Sequence, residues 1–556
     1  MATTTPNPAL VTRSAAQRLP RFALLLFCAA YVLPGLFGRD PWRNADITAF
    51  GFMASIASGQ SSWLTPSVGG IAADAALLPY WIGAAAITAL SGPVDPAVAA
   101  RLPFAVLLVF SMAMSWYSTY HLARTEAAQP VPFAFGGEAD PVDYARAVAD
   151  GAVLALIATL GLLQLGHETT PELAQLASAS LFLYALAASP YRPWRAPVAA
   201  LLALPALAAS GAPMIALASG LVGLMITVRS SYPMVRRFSW YVIAATLLAA
   251  ATASALDAWR YRLAFDASAA ELAATLRLLA WFTWPTLPLA AWTLWRWRRQ
   301  LTHRHIAVPL GCTAVASIAS IAMGGVDRTL LLTLPALAVL AAFALPTLRR
   351  STGAAIDWFS VFFFSLCAIT IWVIYLAVQT GFPTRPAANV TRLLPGFDPQ
   401  FSSLELALAL AGSAAWIALV FWRTGRNRHP LWKSMVLPAS GVALCWLLLM
   451  SLWLPLLDYA RSERPLVQRV SPYLTKGACV AMPSAPLARI AAIEQIGGFR
   501  VDAARPLSET ECPWLIRQEP IGIAPARPAG WQLVARVRRP TERRELTAIY
   551  RRLTNH

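Results

Sequence analysis

Residues 38–81 read GRDPWRNADITAFGFMASIASGQSSWLTPSVGGIAADAALLPYW. The stretch carries three carboxylates (Asp40, Asp46, Asp74) and two arginines (Arg39, Arg43). An apolar segment, 22–37, precedes it, and most of the chain from there to residue 456 is apolar as well. A polar loop at the head of a series of apolar helices is either a solvated surface loop or a place where chemistry happens. The rest of the chain decides between them.

Of 556 residues, 57% are hydrophobic and 13% are charged, and the mean hydropathy is +0.54. Soluble domains carry about 25% charged residues, and long uncharged apolar runs mark membrane spans. The composition therefore predicts an all-α polytopic membrane protein. The formal charge of +18 comes almost wholly from arginine. These arginines fall in short loops between apolar segments, which speaks for membrane topology and against a nucleic-acid partner. No small-residue cleavage site follows Phe37, so 22–37 reads as a retained first span.

Apolar runs at 20–37, 100–122, 147–166, 173–189, 196–209, 213–228, 239–256, 276–296, 306–325, 329–347, 355–379, 403–422 and 434–455 give about 13 transmembrane helices. Two of them, 196–209 and 213–228, are short and meet at Ser210-Gly211-Ala212-Pro213. Leu77–Leu90 is apolar but short and reads as an interfacial helix. With it left out, Arg13, Arg18, Arg124, Arg192, Arg195, Arg229, Arg236, Arg237, Arg298, Arg299, Arg304, Arg349, Arg350, Arg423, Arg426 and Arg428 all fall on one side. That side is then cytoplasmic. The N-terminus lies there, and the 38–81 loop, the 167–172 turn and the tail from 457 face the periplasm of a bacterial inner membrane. The division is a transmembrane domain, 1–456, and a periplasmic α/β domain, 457–556. The 124–143 loop is Pro- and Gly-rich and reads as irregular, with no chemistry assigned.

A second acidic cluster, His167, Glu168 and Glu172, stands at the mouth between two spans. Ionisable groups at such places persist where they are solvated or used. Pro171 places Glu172 in the first turn of the next helix, with Thr169 or Thr170 as its cap. That arrangement is explained by helix structure alone. The same three residues are also candidate ligands for a divalent cation, although no repeated ligand pattern supports a zinc site. Asp257, Arg260, Arg262 and Asp266 read as a substrate contact or, more simply, a salt-bridged face. Asp327 and Arg328 lie close to the membrane within reach of a phosphate. The loop with Arg385 and Arg392 reads as a lid or a connector.

The tail opens on an amphipathic helix, WLPLLDYARSERPLVQRV (453–470). Then come a strand at LTKGACVAM, a helix at PLARIAAIEQIGG, a strand at CPWLIRQ, and a hairpin of WQLVARVRR and ELTAIYRRL about Pro540-Thr541-Glu542. Cys479 and Cys512 are the two cysteines outside apolar segments, and they form a candidate disulfide if the tail leaves the cytoplasm. Gly-rich phosphate loops and CxxC motifs are absent, which argues against an ATP-driven pump.

The order of these features resembles the GT-C membrane glycosyltransferases that use polyprenyl-phosphate sugars, of the protein O-mannosyltransferase and lipid A aminoarabinose transferase type. In that family the first external loop carries Asp-Glu, a helix, a Gly-x-Trp-x-x-Pro stretch, and Lys-Pro ahead of Tyr-Trp. Here Asp46 starts the pattern, Trp63-Leu64-Thr65-Pro66 and Gly70 continue it, and Tyr80-Trp81 close it. The family's second acid precedes a helix ending in Leu-Tyr, where Glu172 and Tyr184 stand. Ile47 replaces the family Glu, no Lys lies between Gly70 and Tyr80, and the second acid is Glu rather than Asp.

The resemblance implies transfer of a sugar from a polyprenyl phosphate to a lipid A, glycan or protein acceptor within surrounding membrane lipids. It implies Asp46 as the base or base-orienting group. Arg39, Arg43 and His167 are then candidates for the phosphate, and Glu172 and Glu168 for the acceptor or a cation. Asp40, Tyr80 and Arg328 are further substrate-binding candidates. Two other classes fit the composition. A transporter or flippase places charges near the bilayer midplane, whereas the acids here sit at span ends. A non-catalytic relative is the reading that the missing Lys favours.

Overall fold

The computed structural model describes residues 8–73, 76–259, 268–324, 326–424, 430–522 and 528–553. Asp74, Arg260, Arg262, Asp266, Gly325, Arg426 and Arg428 lie outside the described residues. The chain is mostly helical as far as residue 473, and a small mixed sheet closes it.

Among the described residues, six helices are long and apolar enough to cross a membrane. A seventh span arises if Lys433–Leu449 and Leu454–Arg461, bent by 73° at their junction, are one. This is fewer than the 13 spans expected, and the reason is local. The apolar run 147–166 breaks at Thr159, between helices Pro141–Ala158 and Leu160–Leu165. The run 276–296 breaks between Ala269–Phe282 and Thr286–Arg296, at Pro285, which has no N–H to continue the ladder. The two breaks meet: the Leu160 amide donates to the Trp284 carbonyl at 3.0 Å. Arg195–Ala209 and Pro213–Val228 part at Ser210–Ala212, as the Gly-Ala-Pro sequence requires.

Burial sorts the helices. Leu334–Ala342 is buried along its whole length, the mark of a helix apolar on every side at the centre of a bundle. Ser403–Thr424 is largely exposed and belongs to the outside. Leu77–Ala89, 13 residues long, is too short to span at 1.5 Å per residue. It packs beside Ala45–Ala57, where Gly83 admits the Met53 side chain. The 124–143 loop is irregular but tethered. Its backbone bonds to the N-terminal segment, Val131 N–H to Ala9 and Ala139 N–H to Val11. The 381–400 connector contains the helix Thr384–Leu393, with no buried residue.

The tail helix expected at 453–470 is two helices, Leu454–Arg461 and Arg464–Val470, divided at Ser462-Glu463. The five-stranded sheet runs Arg500–Asp502, Cys479–Ala481, Trp514–Pro520, Glu545–Arg552, Trp531–Val537 in spatial order. The first three strands are parallel, and the hairpin pairs antiparallel. Leu487–Gln495 is the crossover helix between two parallel strands. Cys479 and Cys512 are bonded, their Cα atoms 4.9 Å apart.

Loop 38–81 is bound to this sheet region. Gly69 and Gly70, at φ +59° and +78°, form the two-residue turn of the hairpin Ser67–Val68/Ile71–Ala72. The Gly69 carbonyl accepts from Ala503 N–H at 2.9 Å and its N–H donates to Glu494 at 3.1 Å. Gly51 lets Ala45–Ala57 close on Leu487–Gln495: a Cβ there would lie 2.7 Å from that of Ala491.

Candidate active site

Asn44, at φ 67°, turns the chain into the helix Ala45–Ala57 and puts Asp46 in its first turn. There the helix dipole favours a carboxylate. Asp46 is 1% exposed and accepts four hydrogen bonds. One oxygen takes Arg39 Nη1 at 3.2 Å and Trp42 N–H at 2.9 Å. The other takes the Thr169 N–H at 2.8 Å and the Thr169 hydroxyl at 2.7 Å. Burial alone would raise this carboxyl. The charges of Arg39 and Arg101 and the two backbone donors outweigh it and hold Asp46 below the usual carboxylate range.

Arg39 joins the loops from its other side. Its Nε donates to the Gly35 carbonyl at 2.8 Å and its Nη2 to the His167 carbonyl at 2.5 Å. The loop 38–46 and the turn 167–170 are thus one unit held by two polar side chains.

Pro171 opens the helix Pro171–Ala188, and Glu172 stands in its first turn. Thr170 is the cap residue by position but makes no side-chain cap bond, and the Thr169 hydroxyl goes to Asp46 instead. Glu168, 3% exposed, accepts from Gln164 at 2.8 Å and from Arg328 Nη2 at 2.6 Å. Its burial and the nearby Asp46 charge raise its carboxyl above the usual range, against the opposing pull of Arg328. Arg328 also faces Glu172, Nη1 to Oε2 at 3.8 Å, outside hydrogen-bond distance, and neither atom has a hydrogen-bond partner among the described residues. Glu172 is the more accessible acid, its side chain 24% exposed against 4% for Glu168.

The remaining candidates sort by distance from this centre. His167 contributes its carbonyl to Arg39, but its ring packs against Tyr31 and Trp446, with its nitrogens on the carbonyls of Leu163 and Tyr31. Burial lowers its pKa to about 4, against the opposing pull of the two carbonyls. Among the described residues, no group of three or more His, Cys, Asp or Glu side chains is arranged to hold a metal ion, so His167, Glu168 and Glu172 do not form one. Asp40 is turned to the tail, accepting from Arg464 Nε at 2.7 Å and Ser462 at 2.7 Å. Tyr80 is buried against Phe52. Tyr184 packs against Tyr117 and His121, near the far end of the helix Pro96–Ala123. Arg43 is exposed, and its N–H donates to the Arg461 carbonyl at 2.9 Å.

Three contributors to the site are not evident in the sequence. Thr169 reads there only as a cap. Trp42 lies between the guanidinium groups of Arg39 and Arg461, 4.6 and 5.0 Å from its ring. Arg461 lies 415 residues or more from the loop it touches, in what reads as an ordinary amphipathic helix. It comes within electrostatic reach of Glu168. Only the repeated Arg-aromatic composition of the two segments hints at that pairing.

The fold is shared with a solved membrane-protein structure, ArnT from Cupriavidus metallidurans. Over 95% of this chain it superposes on ArnT from Cupriavidus metallidurans bound to undecaprenyl phosphate, with TM-score 0.55, 15% identity and 96% of that chain covered. The apo state of the same protein gives TM-score 0.57 at 14% identity, again over 95% of this chain and 96% of that one. No protein-family model matches the sequence, and no curated protein matches it either.

Proposed function

We propose that this chain is a bacterial inner-membrane glycosyltransferase that moves a sugar from a polyprenyl phosphate to a hydroxyl of a periplasmic acceptor: lipid A, another glycan or a protein. In this reading the 13 apolar segments of residues 1–456 cross the membrane, the N-terminus is cytoplasmic, and 457–556 is a periplasmic domain seated on loop 38–81. The observation that carries the reading is the open Glu172–Arg328 pair beside the Asp46–Thr169 junction. Support also comes from the shared fold with a protein that holds undecaprenyl phosphate.

The chemistry assigns each group a task. The acceptor hydroxyl attacks the anomeric carbon, the bond from that carbon to the phosphate oxygen breaks, and the hydroxyl proton passes to a carboxylate. Glu172 is the base, because its Oε2 has no hydrogen-bond partner to displace among the described residues. Arg328 meets the leaving phosphate with its unpartnered Nη1. Arg461 and Arg43, adjoining through backbone, add positive potential where the family's lysine is missing. Asp46, filled by four donors, is the positioning acid that fixes the 167–172 turn.

The test is transfer of labelled sugar from polyprenyl phosphate in membranes containing wild type, Glu172→Gln or Asp46→Asn. Loss of a general base lowers the rate by roughly 10²–10⁴, which is the expectation for Glu172→Gln. Transfer by Glu172→Gln equal to wild type would remove its assigned role. No transfer by wild type would remove this donor class.

A further inference from the structure

A cavity opens at the end of the bundle opposite the candidate active site. It has a volume of about 1280 Å³ and is lined by the 125–132 loop, the ends of helices Pro213–Val228 and Arg304–Ala322, and the segments that join them. Its place follows from two helices. Pro96–Ala123 carries Arg101, which the Asp46 centre senses electrostatically, near its start, and runs into Thr125 on the cavity wall. The intervening 24 positions amount to ~36 Å at 1.5 Å per residue, more than the hydrocarbon thickness of a bilayer. Arg304–Ala322 begins at the cavity, and the chain re-emerges at Arg328 in the candidate active site.

The lining is divided. Val222, Met225 and Ile226 on one helix face Ala307, Leu310 and Ala314 on the other, an apolar cleft about two helical turns deep. Its mouth is polar and cationic, with Arg229, Ser230, Thr302, His303 and Arg304, and with Glu126 as an opposing charge on the rim. Arg304 is 7% exposed. Its Nη2 donates to the Leu186 carbonyl and to Ser189, while its Nε and Nη1 have no acceptor among the described residues. With both nitrogens shut off from the cavity, Arg304 presents to the mouth its charge rather than a free N–H. It stands at the first position of a 19-residue helix that has no side-chain cap, a second feature that favours an anion.

We infer that this cavity holds an anionic glycerophospholipid of the opposite leaflet, its phosphate at the cationic mouth formed by Arg229 and Arg304 and one acyl chain along the apolar wall that the two helices form where they meet at Gly311. A free anion would not account for the apolar cleft, and a neutral lipid would leave the cationic mouth of Arg229 and Arg304 without a counter-charge. The site is separate from sugar transfer and does not depend on that reading.

The experiment uses the full chain in nanodiscs containing a trace of photoactivatable phosphatidylglycerol, with the crosslinked peptides mapped by mass spectrometry. A phosphatidylcholine analogue is the control. Label is expected within 222–232 and 300–314. Arg229→Gln removes a charge-assisted contact and should cut labelling about tenfold or more. Ala314→Phe keeps every polar group and fills the cleft, so it should also abolish the label. Arg304→Gln should do the same but also loses the Leu186 and Ser189 contacts, so the first two variants decide. Equal labelling by the choline lipid, indifference to both variants, or displacement by millimolar inorganic phosphate alone would overturn the assignment.

Discussion

Glu172 and Arg328 face each other at 3.8 Å, carboxylate oxygen to guanidinium nitrogen, and neither atom is satisfied by another group among the described residues. The same guanidinium is bound at 2.6 Å to Glu168. One arginine therefore serves a hydrogen-bonded pair and one left unbonded, and the proposed function takes the second as the place where a substrate oxygen would bind. Replacing Arg328 by Gln removes both. Because Glu168 is then left buried beside Asp46, melting temperature as well as transfer should fall. Arg328→Lys keeps the charge without the planar fork and should restore folding more than transfer. Thermal unfolding in detergent and transfer rates, measured on the same preparations, check this.

Asp46 should show the opposite separation from Glu172. Asp46→Asn leaves Arg39 buried with no carboxylate, and breaking a buried pair from one side costs about 3–5 kcal/mol. Glu172→Gln should leave the melting temperature nearly unchanged, since the lost contact is not a hydrogen bond. A variant pair that behaved alike in unfolding assays would contradict this division of labour.

The two buried acids should respond to pH with opposite signs. Asp46 is held below its ordinary value. Its contribution to stability is present above about pH 4 and is lost as pH falls through the lower folded-state value. Glu168 is held above its ordinary value. Folding favours its protonated form, so its contribution is present below about pH 4 and is lost as pH rises through the raised value. The difference in melting temperature between wild type and Asp46→Asn should shrink on acidification below about pH 4. For Glu168→Gln the difference should change sign or size above that pH. Melting curves across the acid-to-neutral range read both.

The Cys479–Cys512 bond closes a separation of 33 residues in the tail. Chain entropy assigns such a loop about 3–4 kcal/mol. The double Cys→Ser variant should melt earlier by that measure, and reductant should destabilise wild type but not the variant.

Docking of loop 38–81 on the tail is set by small residues. Gly51→Val should collide with Ala491, and Gly69→Val should both strain a positive φ and strike Ile490. Each should expose the tail to limited proteolysis while the membrane helices stay intact. Unchanged cleavage kinetics would argue that the two parts are held together elsewhere.

What the sequence settles by itself is periodic and local. Apolar runs announce the membrane helices, because a bilayer demands uncharged length. Pro171 announces the start of its helix, and the tail's alternating strands and helix are legible from residue pattern, whereas the hairpin that turns at Gly69-Gly70 appears only in the structure. The helix break at Thr159 is hidden, since its bond to the Trp284 carbonyl reaches across 124 residues of chain, while the other break is marked by Pro285 within a run apolar enough to read as one span. The site is legible as two acidic clusters and no further. That Asp46 is saturated while Glu172 is open, that the His167 ring turns away, that Asp40 is paired with Arg464 and Tyr80 packed on Phe52, and that Arg461 joins from the tail all depend on which partners the fold brings close. Charge in a sequence marks where polar groups cannot be left alone; only the tertiary structure decides which of them already have partners.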